Sequence, residues 1–468
     1  MRQLKVALLV VASLVVGAPG AAAAPPWSPV ASLVAGEQRL EPVATRGFAD
    51  GSALVAWTRV LGARCTTDSE FGVARRTRDG RLGAPVLRRG RPLGPAVALP
   101  GGRTAVVLLV AVTSRRRCAA RPRLLVLSAE GRTHDTIALP QEAGQPQLDP
   151  RPGGALGVVY TTYEHVGGSS SRAGAVQRIR ELVVRSGRLG HPRTLDVVGS
   201  IDHLDGGIGD VRLAGAPGGV RLLVASASNG CPGRTRARTC GRLSTPLSNE
   251  VRVALAPAGR GFGSFRRVAN TDGFIRIAAA VTERGRPVVA WGSQDDGEEA
   301  DRPWRIEATS TDPRGRWRKP TLLDAGDRAD RPAGGLTLSA APDGTTTVAW
   351  SGVRSRSDPI RVARSRVDGS FPAKAGRRLT ELALSGVVAG SVIAADGTTT
   401  LLISADGSTE SAARELLAVR RSPSAASFGP IEQVTDEPAQ DPQLTLNAAT
   451  QAPEVLWSGP GLRYASRP

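Results

Sequence analysis

The chain has 468 residues and a formal net charge of +19. Only Lys5, Lys319 and Lys374 are lysines, so 58 of the 61 basic residues are arginine, alongside 55 Gly and 34 Pro. That skew follows the codon bias of a high-GC bacterial genome better than it follows a nucleic-acid partner. Aromatics at 4% are too few for the stacking platforms of single-strand binders.

The first residues read as an export signal: Arg2 and Lys5, an apolar run from Val6 to Val16, and small residues at Ala21 to Ala24. The run is short for a membrane span. With no twin arginine and no cysteine near the cleavage region, the general secretion route is expected, without a lipid anchor. No apolar tail follows Leu462, so the expected mature protein is residues 25–468, secreted and soluble, one domain and a monomer.

One segment then recurs. A turn glycine at Gly51, Gly102, Gly154, Gly219, Gly285, Gly344 and Gly397, with Gln451 in the eighth copy, precedes a short apolar strand. Six residues after each lies an anchor: Trp57, Leu108, Tyr160, Ala225, Trp291, Trp350, Ile403 and Trp457. The copies lie 51 to 66 residues apart, the length of a four-stranded propeller blade with variable loops. The strand after the turn is apolar on both faces, as in Leu54 to Trp57 and Val288 to Trp291, and so is covered on both sides. In the sixth copy, Leu336 to Ala340, Thr345 to Ser351, Ile360 to Arg364 and Phe371 to Leu379 are predicted as successive strands. Asp-Gly turns at Gly344 and Gly369 supply the left-handed backbone of tight hairpins.

The last copy stops after its third strand, Leu462 to Ala465. At the other end, Trp27-Ser28-Pro29-Val30 resembles the fourth strands at Phe428 to Ile431 and Trp317 to Pro320. The N-terminal segment is therefore predicted to complete the last blade and remove the exposed edge. The fold expected is an all-β propeller of eight four-stranded blades, or of seven if the weak copy around Gly102 or Gly219 is absorbed differently.

Four cysteines in an exported chain imply disulfides. Cys231 and Cys240 share one connection between second and third strands, and Cys65 and Cys118 lie in equivalent connections of neighbouring copies. The pairs Cys65–Cys118 and Cys231–Cys240 are expected, each contributing about 2–4 kcal/mol. These second-to-third-strand connections are the long ones, so function is expected on the face that they elaborate.

Candidates for chemistry are few. Asp295, Asp296, Glu298, Glu299 and Asp301 could ligate Ca2+, although a solvated acidic loop is the commoner meaning of such a run. Asp202, His203, Asp205 and Asp210 lead into the fourth copy's first strand and face the mouth of the channel. They could act as acid, base or metal ligands, or simply cap their own turn. Glu164 near Tyr160 and Tyr163 is a further carboxylate–tyrosine combination, unless Tyr160 only fills the Trp slot. His134, His165 and His191 form no triad on paper, and no nucleophile elbow or phosphate loop is present. No cofactor is implied.

The pattern Ala341-Pro342-Asp343-Gly344-Thr345-Thr346-Thr347-Val348-Ala349-Trp350, echoed at Ala395 to Leu401, resembles secreted propeller proteins of high-GC actinobacteria that are loosely described as sialidase-like. A sialidase implies three arginines for the substrate carboxylate, a Tyr–Glu pair and an acid Asp. That set falls on no matching positions here. The family's turn, Ser-x-Asp-x-Gly-x-Thr-Trp, lies in the third turn of a blade, whereas Asp-Gly here precedes the second strand. The expectation is a non-catalytic extracellular binding module for a carbohydrate, a cell-wall polymer or a protein, acting through its long-loop face. The alternative is a glycan-active enzyme with carboxylates at the channel mouth.

Overall fold

The computed structural model describes residues 27–35, 40–48, 50–61, 69–78, 81–111, 120–166, 174–200, 207–215, 219–229, 248–271, 274–294, 304–326, 335–351, 360–372, 377–378, 386–406 and 414–467. The turn residues behave as their chemistry requires. Gly51, Gly102, Gly154, Gly285, Gly344 and Gly397 have φ between 72° and 90°, and Gln451 adopts 59° in the eighth copy. Each releases the chain into a second strand that is buried almost throughout, such as Ala53–Val60, Pro287–Gln294, Thr346–Ser351 and Pro453–Gly459.

These strands nucleate eight antiparallel sheets. The first blade runs from Leu40–Gly47 on the inside through Ala53–Val60 and Ser69–Arg76 to Val86–Arg89. The second and fourth copies form blades of their own, so the count is eight and not seven. The second blade's inner strand is split into Arg91–Pro92 and Val97–Ala98, and the third blade's outer edge into Arg188–Leu189 and Arg193–Ser200.

Eight apolar clusters fill the joints, and alternate residues of one strand serve two of them. Leu54 and Ala56 pack toward the second blade, with Val106 and Leu108. Val55 and Trp57 pack toward the eighth, with Leu456 and Tyr464. The same division separates Val288 from Val289 and Val158 from Val159. In every blade the anchor residue faces the preceding blade, and all eight anchors are at most 3% exposed. This two-sided demand is why the strands read as continuous apolar runs.

The ring closes as the sequence suggests, with a shift in detail. Ala31–Val34 pairs antiparallel with Gly461–Ser466, placing Ala31 opposite Tyr464. Trp27 to Val30 precede the strand and do not form it. Trp27 is buried with Leu402 and Val455 and donates from Nε1 to Glu432 at 3.1 Å. The same offset recurs at Trp317, before Thr321–Gly326, and at Phe428, before Ile431–Thr435. A proline stands between aromatic and strand each time and cannot donate to the ladder. Likewise, Phe371 is a buried plug, and among the described residues the sixth blade's outer strand is Arg377–Arg378. The third turn of the fifth blade, Ser310 to Trp317, places Ser two residues before and Trp five after Asp312, as in the sialidase-type turn, but Gly315 falls one position later than that turn's glycine and Arg316 stands in place of its Thr. Asp312 Oδ1 accepts from the backbone of Arg314 at 2.8 Å and of Arg316 at 2.9 Å.

Residues 1–24 and all four cysteines lie outside the described residues. Among the described residues no helix is long and apolar enough to cross a membrane.

Candidate functional site at the channel mouth

The inner strands of consecutive blades pack side by side around the axis. Tight glycine turns lie at one end, and the connections from second to third strand lie at the other. The residue opposite the position just after each anchor marks the level of the mouth at that long-loop end. Register places Glu41 opposite Thr58, Arg91 opposite Leu109, Arg276 opposite Gly292, Gly335 opposite Ser351, and Val387 opposite Ser404. In the third, fourth and eighth blades a β-bulge falls at this level.

The bulges carry the unusual backbone of the mouth. Gln145 and Asp441 are exposed and hold φ of 44° and 50°, in the equivalent stretches Gln145-Pro146-Gln147-Leu148 and Asp441-Pro442-Gln443-Leu444. A side chain in this region costs about 1–2 kcal/mol, so the surrounding contacts must impose it. Gln145 Nε2 donates to the Gly209 carbonyl at 3.0 Å, tying the third blade to the fourth. Gln443 Nε2 donates to the Pro42 carbonyl at 2.9 Å, tying the eighth to the first.

In the fourth blade, the bulge spans Ile208 to Val211. The Asp210 amide donates to Ser226 Oγ at 2.8 Å, and its carboxylate accepts from Arg212 Nε at 3.0 Å. The rim therefore mixes the carboxylates Glu41, Asp210 and Asp441 with the guanidinium groups of Arg91, Arg212 and Arg276. Among the described residues no three carboxylate, His or Cys side chains gather as a metal site. Asp202, His203, Asp205, Asp295, Asp296 and Glu298 lie outside the described residues, so only Asp210 of that set is placed.

The remaining sequence candidates are pulled apart. Tyr160 fills the anchor slot at 1% exposure, and burial pushes its hydroxyl pKa up. Glu164 stands about 13 Å farther along the same strand. Its carboxylate is bonded to Arg178 Nη2 at 2.8 Å, and that bond holds its pKa down. His134 and His191 are exposed near outer strands of different blades.

Among the described residues burial raises the pKa of three carboxylates, and each sits at a joint. Asp149 is 1% exposed and meets Arg221 at 2.9 Å and Arg151 at 2.9 Å. Glu307 accepts from Trp291 Nε1 at 3.1 Å, and Glu432 from Trp27. Asp149 and Glu432 bond across blades, whereas Glu307 holds Trp291 within its own. Sequence reasoning missed Glu41, Arg91, Gln145, Arg276 and Asp441, because exposed inner-strand residues carry no period of their own. The paired Pro-Gln-Leu stretches were the available signal.

No protein-family model matches the chain, and no curated protein matches it. Solved structures do. An α-L-arabinanase of Penicillium chrysogenum, complexed with arabinobiose, is similar with a TM-score of 0.41 at 10% identity, over 94% of this chain and 98% of that one. The polysaccharide lyase Uly1 is similar with a TM-score of 0.49 at 9% identity, over 94% and 99%. Trypanosoma rangeli sialidase in complex with sialic acid gives 0.36 at 12% identity, over 79% and 59%. The likeness is one of fold.

Proposed function

We propose that this chain is an exported, non-catalytic propeller that binds a carbohydrate or a wall polymer at its long-loop channel mouth. The observation that carries this reading is the pair Gln145 and Asp441. Both are held exposed in left-handed backbone at equivalent bulges of a rigid rim. Strained polar residues of this kind persist where the surroundings over-determine them, and they concentrate at ligand sites. Around them, alternating carboxylate, amide and guanidinium groups offer both donors and acceptors, as a hydroxyl-rich ligand requires. Export brings with it the pairings Cys65–Cys118 and Cys231–Cys240, which mass mapping without reduction would test.

The experiment is a panel of neutral and acidic polysaccharides read by thermal shift and by reducing-end release in the same wells. A rise in Tm without released ends, abolished by Arg276→Ala or Asp441→Ala, supports binding at the rim. Released ends or an unsaturated product would replace this reading with the glycan-active one, resting on Asp202, Asp205 and Asp210. No rise with any polymer would overturn the carbohydrate assignment.

A further inference from the structure

The joint between the sixth and seventh blades, at the glycine-turn end, contains an arginine that makes no ion pair or hydrogen bond among the described residues. Two blades end their third strand on an arginine at the same register position. Arg76 lies opposite Ala53, and Arg421 lies opposite Thr399, each facing the preceding blade. Arg76 is 3% exposed, and its Nη2 donates to Glu454 Oε1 at 2.7 Å. Tyr464 Oη at 2.9 Å and Asn447 Nδ2 at 2.8 Å donate to the same oxygen. Glu454 stands three residues before the anchor Trp457, on the strand face turned to the next blade.

The equivalent residue before Trp350 is Thr347. It is 2% exposed and brings no charge toward the seventh blade. Its hydroxyl has no hydrogen-bond partner among the described residues, and neither do those of Ser339, directly across from it, or Thr399, across from Arg421. Arg421 is 9% exposed and makes no hydrogen bond or ion pair with the described residues; its guanidinium lies 5.9 Å from the Phe428 ring. The neighbouring charges are Arg364 and Asp343. Asp343 is already engaged by Thr345 at 2.7 Å and by Arg364 at 3.3 Å. Burial first, then Arg364, holds the Arg421 pKa below the ordinary arginine value. The Arg421 guanidinium thus shares this joint with three buried hydroxyls that have no partner among the described residues, where the first blade's joint has the Glu454 carboxylate. An oxyanion supplies both the missing charge and the missing acceptors.

We propose that Arg421, with the hydroxyls of Thr347, Ser339 and Thr399, forms an oxyanion site that takes a sulfate, phosphate or carboxylate group. The half-exposed Arg364 and exposed Asp343 mark its opening to solvent. The site lies at the opposite end of the ring from the rim and does not depend on the rim's function.

The test is the melting temperature of the purified protein titrated with sodium sulfate, sodium phosphate or sodium glucuronate, against sodium chloride at matched ionic strength. A saturable rise with at least one of them, absent in Arg421→Met, is expected; the three arms separate inorganic anions from a uronate. Thr347→Glu recreates the arrangement around Arg76. It is expected to raise Tm in chloride and to abolish the anion response. A saturable response that persists in Arg421→Met overturns the proposal, as does the absence of a saturable response to all three anions.

Discussion

Gly72 lies directly opposite Trp57 in the first blade, and a Cβ built on it would stand 2.3 Å from the indole Cε2. The indole occupies the space that any other residue would fill. Gly72→Ala must therefore displace Trp57 from the joint with the eighth blade, at a cost of about 1–3 kcal/mol. Calorimetry should show a lower Tm, with near-ultraviolet dichroism reporting the disturbed Trp. Gly326 stands 2.7 Å from the Trp304 ring by the same construction and should respond likewise.

The seam between the first and last blades has a polar lock. Glu454 is buried and takes three donors, from Arg76, Tyr464 and Asn447. Glu454→Ala leaves a buried guanidinium unpaired, and about 3–5 kcal/mol of stability should be lost by urea titration. Arg76→Met combined with Glu454→Met should be far less damaging than the sum of the single changes. Simple additivity in that cycle would show that the two groups are not coupled.

Glu307 provides a pH signature. Burial raises its folded pKa above 4.5, with the Trp291 hydrogen bond acting in the opposite sense. Between the unfolded value and the raised folded value, the native state binds the extra proton, so this group's contribution to stability is lost as pH rises. Glu307→Gln keeps an acceptor for Trp291 and cannot ionise. It should therefore exceed the wild type in stability at pH 7, and the difference should shrink toward zero below about pH 4.5. A constant difference across that range would remove ionisation as its cause.

Strain and chemistry at the rim are separable at Asp441. Its φ of 50° suits glycine and penalises a β-branched side chain. Asp441→Val should lower stability by about 1–2 kcal/mol, whereas Asp441→Gly removes the carboxylate without the backbone penalty and should be the less destabilising of the two. Polysaccharide binding that survives Asp441→Gly would exclude this carboxylate from the contact.

The blade count was legible because two demands coincide on a few residues. Each second strand needs a left-handed turn before it, supplied at Gly344 or Gly397, and apolar side chains on both faces. Outer strands were misplaced by a few residues because Trp27, Trp317 and Phe428 look like strand residues and act as plugs. The polar joints were not legible at all. Arg76 and Glu454 are 378 positions apart and meet only because the ring closes. The rim escaped notice for a related reason: Glu41, Arg276 and Asp441 belong to different blades, and nothing in local sequence says that they share a level.

Closure by Ala31–Val34 also has a kinetic meaning. The Ser28 hydroxyl accepts from the amide of Ser466, across 438 positions. During synthesis Ala31–Val34 is made well before its partner, Gly461–Ser466, and must wait unpaired until that strand follows. Such a late contact of great sequence separation is entropically slow to form. Cyclisation should accordingly be the final event of folding, and a chaperone that shields the waiting strand should raise the yield of refolded protein.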